Sequence, residues 1–280
     1  MNHRHIGWIL CLWALVLATQ PWGQTPTPTS PVTQHIPHSP QWPTTANLSG
    51  QAFLPPGLVA LHNDPGSNPI SLWLDRGTLA WTDTANGASC ASCHGKVESL
   101  RQAVVTYPRW VQAKLINLED QIQTCRQRSG KAGAADGADH EEVLALSALL
   151  HQTAKGLAWH VTAPAMKPAE QAAWQSHLNQ GAALFTQRMG RMNLSCQHCH
   201  DQNIGKQLRA EVISPGHPTG FPVYRMSWQG LGSVERRLRA CFSGVQAQMP
   251  PPGDPVLREL ELYLKVRASG MPLDGPSIRR

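Results

Sequence analysis

Two pentapeptides of the form C-x-x-C-H constrain this chain more than any other feature of its sequence. The first holds Cys90, Cys93 and His94, and the second holds Cys196, Cys199 and His200. In such a motif two thiols attach one haem through thioether bonds and the adjacent histidine binds its iron, so all three groups must share one turn of chain. The sequence therefore predicts two covalent haem c groups, each attached by the two cysteines of a motif and ligated on its proximal side by that motif's histidine.

Two other interpretations of these cysteines explain less of the pattern. A pair of C-x-x-C units can bind one zinc ion, but this leaves both trailing histidines without a role. A thioredoxin-like redox pair needs a βαβ context, and no strand-like alternation persists for long in the sequence. We interpret His198, inside the second motif, as a spacer that points away from the iron.

The N-terminal segment has the composition of a secretory signal. Arg4 and two histidines precede an apolar run over residues 6–18, and small and polar residues follow. The run is too short to stay in a membrane as a helix, and no later stretch reaches about 18 consecutive apolar residues. We predict that residues 1–23, with Cys11, are removed on export to the periplasm, and that the Pro- and Thr-rich residues 24–50 form a leader without a core.

The composition indicates an ordinary folded protein rather than a nucleic-acid binder. Apolar residues make up 41% of the chain and charged residues 15%, which leaves enough apolar surface for a core. The formal charge of +6 is diffuse, because no run of Lys and Arg is interleaved with aromatic residues. We therefore expect neither a nucleic-acid partner nor a membrane anchor.

The chain repeats itself around the two motifs. Residues 76–95 and 180–201 each contain a glycine, a small apolar stretch that ends in Trp or Phe, a loop, and then S-C-x-x-C-H. Two similar domains, at residues 51–162 and 163–280, are the simplest interpretation. We predict a mostly α fold with long loops.

Helices predicted over residues 140–156 and 254–270 close the two halves. Each has apolar residues at helical spacing on one face and a glycine at its end. Asp254 is expected to cap the second of these helices.

One cysteine remains in each half after the motifs are assigned. Cys125 follows His94 by 31 residues, Cys241 follows His200 by 41, and both lie in arginine-rich segments that read as helices. One spare thiol per haem, similarly placed, suggests a thiolate ligand on the distal side of each iron, which would hold the iron ferric and lower its potential. A Cys125–Cys241 disulfide is the alternative in an oxidising compartment.

The segments around these cysteines resemble the SoxA family. The most specific marks are NLSCxxCHD, FPVYRxxW and RRxRxC, and the first half adds SLWLDRG, SCASCHG and the helix ending at Cys125. The likeness covers nearly all of residues 51–270. SoxA proteins are dihaem cytochrome subunits of the SoxAX complex of bacterial sulfur oxidation, and they are similar to tandem class I cytochromes c.

The resemblance implies an activity, that of an L-cysteine S-thiosulfotransferase. Such an enzyme joins thiosulfate oxidatively to a cysteine of the carrier SoxYZ, while electrons leave through haem to a small monohaem cytochrome, SoxX. The resemblance also implies that Cys125 is the distal ligand of the first haem. It makes Cys241 both the distal ligand of the second haem and the active-site cysteine, which the family carries as a persulfide. Some SoxA proteins lack the first haem site, and because this sequence retains it, the resemblance implies the dihaem form.

Arg237 is the predicted partner of this cysteine in catalysis. It precedes Cys241 by four residues, which places both on one face of a helix. A guanidinium there favours thiolate over thiol and pairs with an oxyanion such as the sulfonate group of thiosulfate, and Arg236 and Arg239 add positive charge. The alternative is that Arg237, like Arg225, binds a haem propionate or makes a surface salt bridge.

Two other functions are compatible with a dihaem cytochrome. A plain electron carrier would use Met249 or His217 as distal ligands and hold Cys241 in a disulfide. A thiosulfate dehydrogenase would make tetrathionate without a carrier protein or a separate cytochrome subunit. Turnover with thiosulfate alone separates this last function from the transferase.

Overall fold

The computed structural model describes residues 47–280, apart from residue 86 and the segments 132–136 and 164–166. The predicted signal peptide and most of the predicted leader lie outside the described residues, as does part of the predicted domain junction. Within the described residues the fold is mostly α, as predicted, with ten α-helices and only short strands. No helix there is long and apolar enough to cross a membrane.

The α-helices are α1 (Pro56–Asn63), α2 (Ile70–Thr82), α3 (Cys90–His94), α4 (Arg101–Val104), α5 (Leu118–Arg128), α6 (Glu141–Ala154), α7 (Pro168–Thr186), α8 (Cys196–His200), α9 (Val234–Gly244) and α10 (Pro255–Arg267). Single 3₁₀ turns lie at Gly50–Phe53, Val97–Leu100 and Pro218–Gly220. The strands are β1 (Arg109–Val111), β2 (Lys114–Ile116), β3 (Gln207–Leu208), β4 (Glu211–Val212), β5 (Val223–Arg225), β6 (Gly230–Gly232) and β7 (Ser277–Arg279).

The strands form three small sheets. β1 pairs with β2 and β3 pairs with β4 as antiparallel hairpins, while β5 lies between antiparallel β6 and parallel β7. In the three-stranded sheet Val223 lies opposite Gly232 on one side and Ser277 on the other. Each strand has two or three residues, which is too short for an alternating pattern to be visible in the sequence.

The repeated sequence segments fold as repeated helix pairs. α2 packs across α6 in the first half, and α7 packs across α10 in the second. A Cβ on Gly77 would overlap the backbone carbonyl of Ala145, and a Cβ on Gly181 would overlap that of Glu259. The glycine that the two segments share is therefore required, because the two helix backbones approach too closely for a side chain.

The two closing helices, α6 and α10, agree with the predicted ranges to within a few residues at each end. Their buried faces hold the apolar residues at helical spacing: Val143, Leu146 and Leu150 in α6, and Leu257, Leu260 and Leu264 in α10. The Asp254 carboxylate accepts a hydrogen bond from the Val256 N–H at 2.9 Å, so this predicted cap is present. Gly156 and Gly270 follow the helices with φ of 85° and 84°, a conformation that favours glycine.

The largest hydrophobic cluster takes residues from both halves. Trp81, Leu146 and Trp159 lie in it together with Leu262 of α10 and Leu273. A smaller cluster joins α7, α9 and α10 through Phe185, Val234, Leu238, Leu257, Leu260 and Leu264. α10 therefore packs against residues on both sides of position 162, and the predicted domain boundary there stays a prediction.

Candidate haem and thiolate sites

Both C-x-x-C-H motifs fold as capped helices of a single turn. At the start of α3 the Ser89 hydroxyl accepts a hydrogen bond from the Ser92 N–H at 3.0 Å. At the start of α8 the Ser195 N–H donates to His198 Nδ1 at 3.1 Å. His198 is thus turned back to cap its own helix, which agrees with its interpretation as a spacer. The caps hold the two thiols and the trailing histidine of each motif on one short helix.

The ring of His200 is held in a defined orientation. Its Nδ1 lies 2.7 Å from the backbone carbonyl oxygen of Ser214, so Nδ1–H donates and Nε2 is left available to a metal. Burial lowers the pKa of His200, and the charges of Arg237 and Arg267 lower it further. The imidazole is therefore kept neutral, the form that binds iron, and a metal-binding histidine ordinarily donates its second nitrogen to such an acceptor.

A glycine lies directly against this ring. Gly216 has φ of 76°, and a Cβ there would lie 2.9 Å from the imidazole of His200. Both the left-handed backbone and the close approach exclude a side chain. The turn at residues 214–216 thus contacts the His200 ring twice, through the Ser214 carbonyl at Nδ1 and through the close approach of Gly216.

The first motif holds its histidine less tightly. The Trp81 indole N–H donates to the Gly95 carbonyl at 3.1 Å, which holds the end of α3, and the Trp81 and His94 rings lie 6.2 Å apart. Among the described residues nothing hydrogen-bonds the His94 ring, so the first site has no counterpart of the Ser214 contact. The side chain of His94 is also exposed.

The two spare cysteines occupy equivalent positions in two equivalent helices. α5 and α9 each have 11 residues, with Asn117 and Ser233 as their N-caps. Cys125 and Cys241 each follow their cap by eight residues. The helices predicted around both thiols are present. Because the two helices agree in length and in the position of the cysteine after the cap, the repeat seen in the sequence includes the two candidate distal ligands.

Each spare thiol lies near the motif of its own half. Burial and the neighbouring Cys125 raise the pKa of the free Cys90 thiol. Burial and Cys241 likewise raise the pKa of Cys196 to about 12 and raise that of Cys199. All six described cysteines are free thiols in the structure, so it contains no Cys125–Cys241 disulfide, and the ligand roles of these cysteines stay a prediction.

Two of the three arginines of α9 have structural partners. The Arg236 guanidinium lies 4.4 Å from the ring centre of Trp228, and Arg239 Nε donates to the Pro250 carbonyl at 3.0 Å. In the described part of the chain, the half-buried Arg237 guanidinium makes neither a hydrogen bond nor an ion pair. It is therefore the arginine of α9 that is available to an anion.

Arg225 extends this positive region. It is only 8% exposed, is paired with the Glu211 carboxylate, and its pKa is lowered by burial and by the charge of Arg237. Burial and this ion pair argue against a free surface charge at Arg225. Cys241 has the opposite effect and raises the pKa of Arg225. Arg225, Arg237 and Cys241 therefore lie close enough to interact electrostatically.

The other two candidate distal ligands differ in their exposure. Met249 is 47% exposed in the loop after α9, whereas Cys241 is half-buried near Cys196 of the second motif. His217 is buried as the N-cap residue of the 3₁₀ turn Pro218–Gly220. Cys241 is thus a better candidate than Met249 at the second site.

These residues fit a covalently attached haem. Each motif presents two thiols on one turn, His200 has a neutral ring with one nitrogen reserved for a metal, and a second thiol lies nearby. Fold and site together define a c-type cytochrome, a protein that carries covalently bound haem.

Comparison with known proteins defines the family. The family model described as SoxA/TsdA, cytochrome c domain, matches residues 76–159. The L-cysteine S-thiosulfotransferase subunit SoxA of Pseudaminobacter salicylatoxidans is 30% identical over 85% of this chain and 82% of its own length. The SoxA subunit of Paracoccus pantotrophus is 30% identical over 82% of this chain and 78% of its own. The crystal structure of SoxXA from P. pantotrophus matches with a TM-score of 0.74 and 29% identity, covering 83% of this chain and 86% of that chain. The chain belongs to the SoxA family.

The predicted family and cytochrome fold are confirmed, and the predicted enzyme class is the one that the relatives' names give. The roles of individual cysteines, histidines and arginines stay predictions.

Sequence reasoning missed Ser214, because its contribution is a backbone carbonyl that any residue could supply. The only signal for it is the turn sequence S-P-G-H that follows the second motif.

Proposed function

We propose that this chain is the catalytic dihaem cytochrome subunit of a SoxAX-type L-cysteine S-thiosulfotransferase in the periplasm. The observation that carries the proposal is that α9 places a half-buried thiol, Cys241, and the Arg237 guanidinium four residues apart, both close enough to the second C-x-x-C-H motif to affect its pKa values. The names of the SoxA relatives support the activity. The likeness to a SoxXA structure supports a SoxX-like monohaem cytochrome as the partner.

Two haems are proposed, with Cys90, Cys93, Cys196 and Cys199 as attachment points. His94 and His200 would be the proximal ligands, and Cys125 and Cys241 the distal ones. When bound, haem supplies a one-electron acceptor beside the reacting sulfur and a route for electrons to the partner cytochrome.

The residues of α9 would carry the substrate chemistry. Arg237 pairs with the sulfonate oxygens of thiosulfate and brings its terminal sulfur to Cys241. A sulfur–sulfur bond between the Cys241 thiolate and thiosulfate forms with loss of two electrons, which gives a cysteine S-thiosulfonate. The thiolate of the carrier cysteine, on a SoxYZ-type protein, then attacks the sulfur bonded to Cys241, so that Cys241 leaves as thiolate and the carrier holds the thiosulfonate. In sum, one S–S bond forms, one thiol proton is released and two electrons depart. If Cys241 carries a persulfide, its outer sulfur takes the same role.

Mass spectrometry of the mature protein, digested without reductant, tests the state of Cys241. We expect a peptide in which Cys241 is free or heavier by one sulfur atom. A cross-link between Cys241 and Cys125 would contradict the proposal and leave an electron carrier.

Substitutions on α9 test the roles in turnover. Cys241→Ala should abolish transfer of thiosulfate to the carrier. Arg237→Gln should lower kcat/KM for thiosulfate about ten- to a hundredfold, because one charge-assisted hydrogen-bonding partner is lost. Arg239→Gln is the matched control, since that side chain binds a backbone carbonyl, and it should stay near wild type.

The same assay separates the alternatives. Equal losses of kcat/KM for thiosulfate in the Arg237→Gln and Arg239→Gln proteins would contradict a specific role of Arg237 in binding the substrate. Formation of tetrathionate from thiosulfate alone, without carrier or partner cytochrome, would favour a thiosulfate dehydrogenase.

A further inference from the structure

Arg258 of α10 joins the two helices that carry the spare thiols. Its Nε and Nη2 donate to the two carboxylate oxygens of Asp120 at 2.6 and 2.7 Å. Its Nη1 donates to Glu235 at 2.5 Å. Asp120 lies in the first turn of α5 and Glu235 in the first turn of α9. One guanidinium therefore binds the N-terminus of both helices.

Every carboxylate oxygen in this bridge has a fixed partner. Asp120 also accepts a hydrogen bond from the Asn117 N–H at 3.1 Å. The remaining oxygen of Glu235 accepts one from the Gly253 N–H at 2.9 Å. Arg258 is 5% exposed and Glu235 2%. The Asp120 side chain is 30% exposed, so the bridge is buried at Arg258 and Glu235 only. Because every carboxylate oxygen accepts a hydrogen bond, the arrangement of the three side chains is restricted.

α10 is also bound to other parts of both sites. The Asn117 side chain, the N-cap of α5, donates to Glu261 of α10 at 2.9 Å. Near the other end of α10, Arg267 donates to Asp201, the residue after His200, at 2.8 Å. α10 therefore contacts the helix of each candidate distal ligand and the residue beside one proximal ligand.

The bridge lies close to both thiols along their helices. Cys125 is five residues beyond Asp120, and Cys241 is six beyond Glu235. At 1.5 Å per residue these separations are roughly 8 and 9 Å along the helix axis. Because each thiol lies within about two turns of the bridge on a continuous helix, we expect a displacement of either helix start to displace the thiol of that helix.

We propose that Arg258 is a positioning residue that sets the place of both thiols, Cys125 and Cys241, and so influences the thiolate ligation of both haems. This inference rests on the proposed function in one respect, the assignment of these thiols as distal ligands. Arg258 touches neither haem nor substrate and acts through α5 and α9. A buried ion pair adds little net stability over an apolar substitute, so positional specificity, rather than stability, is the effect to measure.

The test uses the ferric holoprotein and two readouts other than activity: the electron paramagnetic resonance signals of low-spin, thiolate-ligated haem, and the reduction potential of each haem. Cys125→Ala and Cys241→Ala proteins assign each signal to its haem. Asp120→Asn should shift the signal of the first haem alone, and Glu235→Gln that of the second alone. Arg258→Lys should shift both, and less than Arg258→Met, because lysine keeps the charge but loses the bidentate contact.

A triple variant, Asp120→Asn, Glu235→Gln and Arg258→Met, covers the case in which Arg258→Met alone does not fold. It removes all three charges of the bridge, and it should fold with both signals shifted. Leu144→Ala, in a separate core cluster with Ile70, Leu231 and Ile278, is the control for loss of stability and should leave both signals in place.

Two results would overturn the inference in different ways. Unchanged signals at both haems in the folded triple variant would make Arg258 a merely structural residue and leave the proposed function intact. A wild-type spectrum without thiolate ligation at either haem would overturn the ligand assignment itself, and the inference with it.

Discussion

At the scale of single residues, the second site depends on what surrounds its histidine. The Ser214 carbonyl fixes the tautomer of His200, and Gly216 leaves room for its ring. Neither contact involves a functional side chain. The motif supplies the histidine, and the turn that follows gives its ring a defined orientation.

Gly216→Ala should therefore damage the second site specifically. A side chain there is strained by the positive φ and also displaces the His200 ring. We expect the proposed transferase activity to fall on the order of a hundredfold, as misplacement of a reacting group by about 1 Å can cause, together with a shifted potential of the proposed second haem. Spectroscopic redox titration and turnover with the carrier would measure both effects.

Gly205→Ala is the control for backbone strain. Gly205 has a similar φ of 80°, and a Cβ there meets nothing within 4 Å. The Gly205→Ala protein should be destabilised only by the cost of the left-handed conformation, about 1–2 kcal/mol in the free energy of unfolding. Its activity should be normal. Equal activity losses at the two glycines would contradict the role given to the His200 contact.

At the scale of helices, the repeat is built from two close crossings. α2 meets α6 at Gly77, and α7 meets α10 at Gly181. These crossings place both motifs relative to the helices that close each half, so they indirectly position the proposed haem sites.

Gly181→Ala should destabilise the protein, although alanine is the better helix former. The added methyl group meets the Glu259 backbone and the Tyr263 side chain, and such overpacking costs about 1–3 kcal/mol. Gly57→Ala, in the first turn of α1 with open space around it, should be neutral or stabilising by up to about 1 kcal/mol. Urea unfolding of the holoproteins compares the two, and a stabilised Gly181→Ala protein would mean that the crossing is looser than described.

The helices could be predicted from sequence because their signals are local. Asp254 caps α10, and apolar residues recur at helical spacing in α6, where both sequence and structure place them. The Arg258 bridge could not be predicted, because Asp120 lies 138 residues away in the chain and its sequence context is that of an ordinary capping residue. The C-x-x-C-H motifs predict haem attachment from sequence alone. The sequence does not show which arginine of α9 is available to an anion, because this depends on the partners of Arg236 and Arg239 in the folded protein.

At the scale of the whole molecule, a buried polar network lies among α5, α6 and α10. Its members are Glu119, Ser147, His151, Glu261 and Lys265, all 5% exposed or less. Ser147 Oγ donates to Glu119 at 2.6 Å, His151 Nδ1 lies 2.8 Å from the Ser147 carbonyl, and Glu261 pairs with Lys265 at 2.8 Å. Core polar groups thus join helices from both halves of the chain.

This network should make stability depend on pH through His151. Burial, with a smaller effect of the Lys265 charge, lowers the pKa of His151 from 6.5 to about 3. Between these values the unfolded chain takes up a proton that the folded protein does not. Stability from this residue is therefore complete above pH 6.5 and falls by about 1.4 kcal/mol per unit as the pH drops toward 3.

His151→Asn removes the titrating group and keeps a donor for the Ser147 carbonyl. The free energy of unfolding, measured in urea from pH 7 to pH 5, should fall less steeply in this variant than in the wild type. His160→Asn, at an exposed histidine, is the control and should keep the wild-type slope. Parallel slopes for wild type and His151→Asn would contradict the argument.

The position of α10 along the chain has a consequence for biosynthesis. This helix packs against both halves and holds α5, α9 and the residue after His200, yet it is among the last segments to be made, at residues 255–267. A chain that emerges N-terminus first presents both C-x-x-C-H segments before this helix exists. The four cysteines proposed to attach haem are therefore accessible while α10 is still missing, and the packing of α10 against both halves can follow haem attachment.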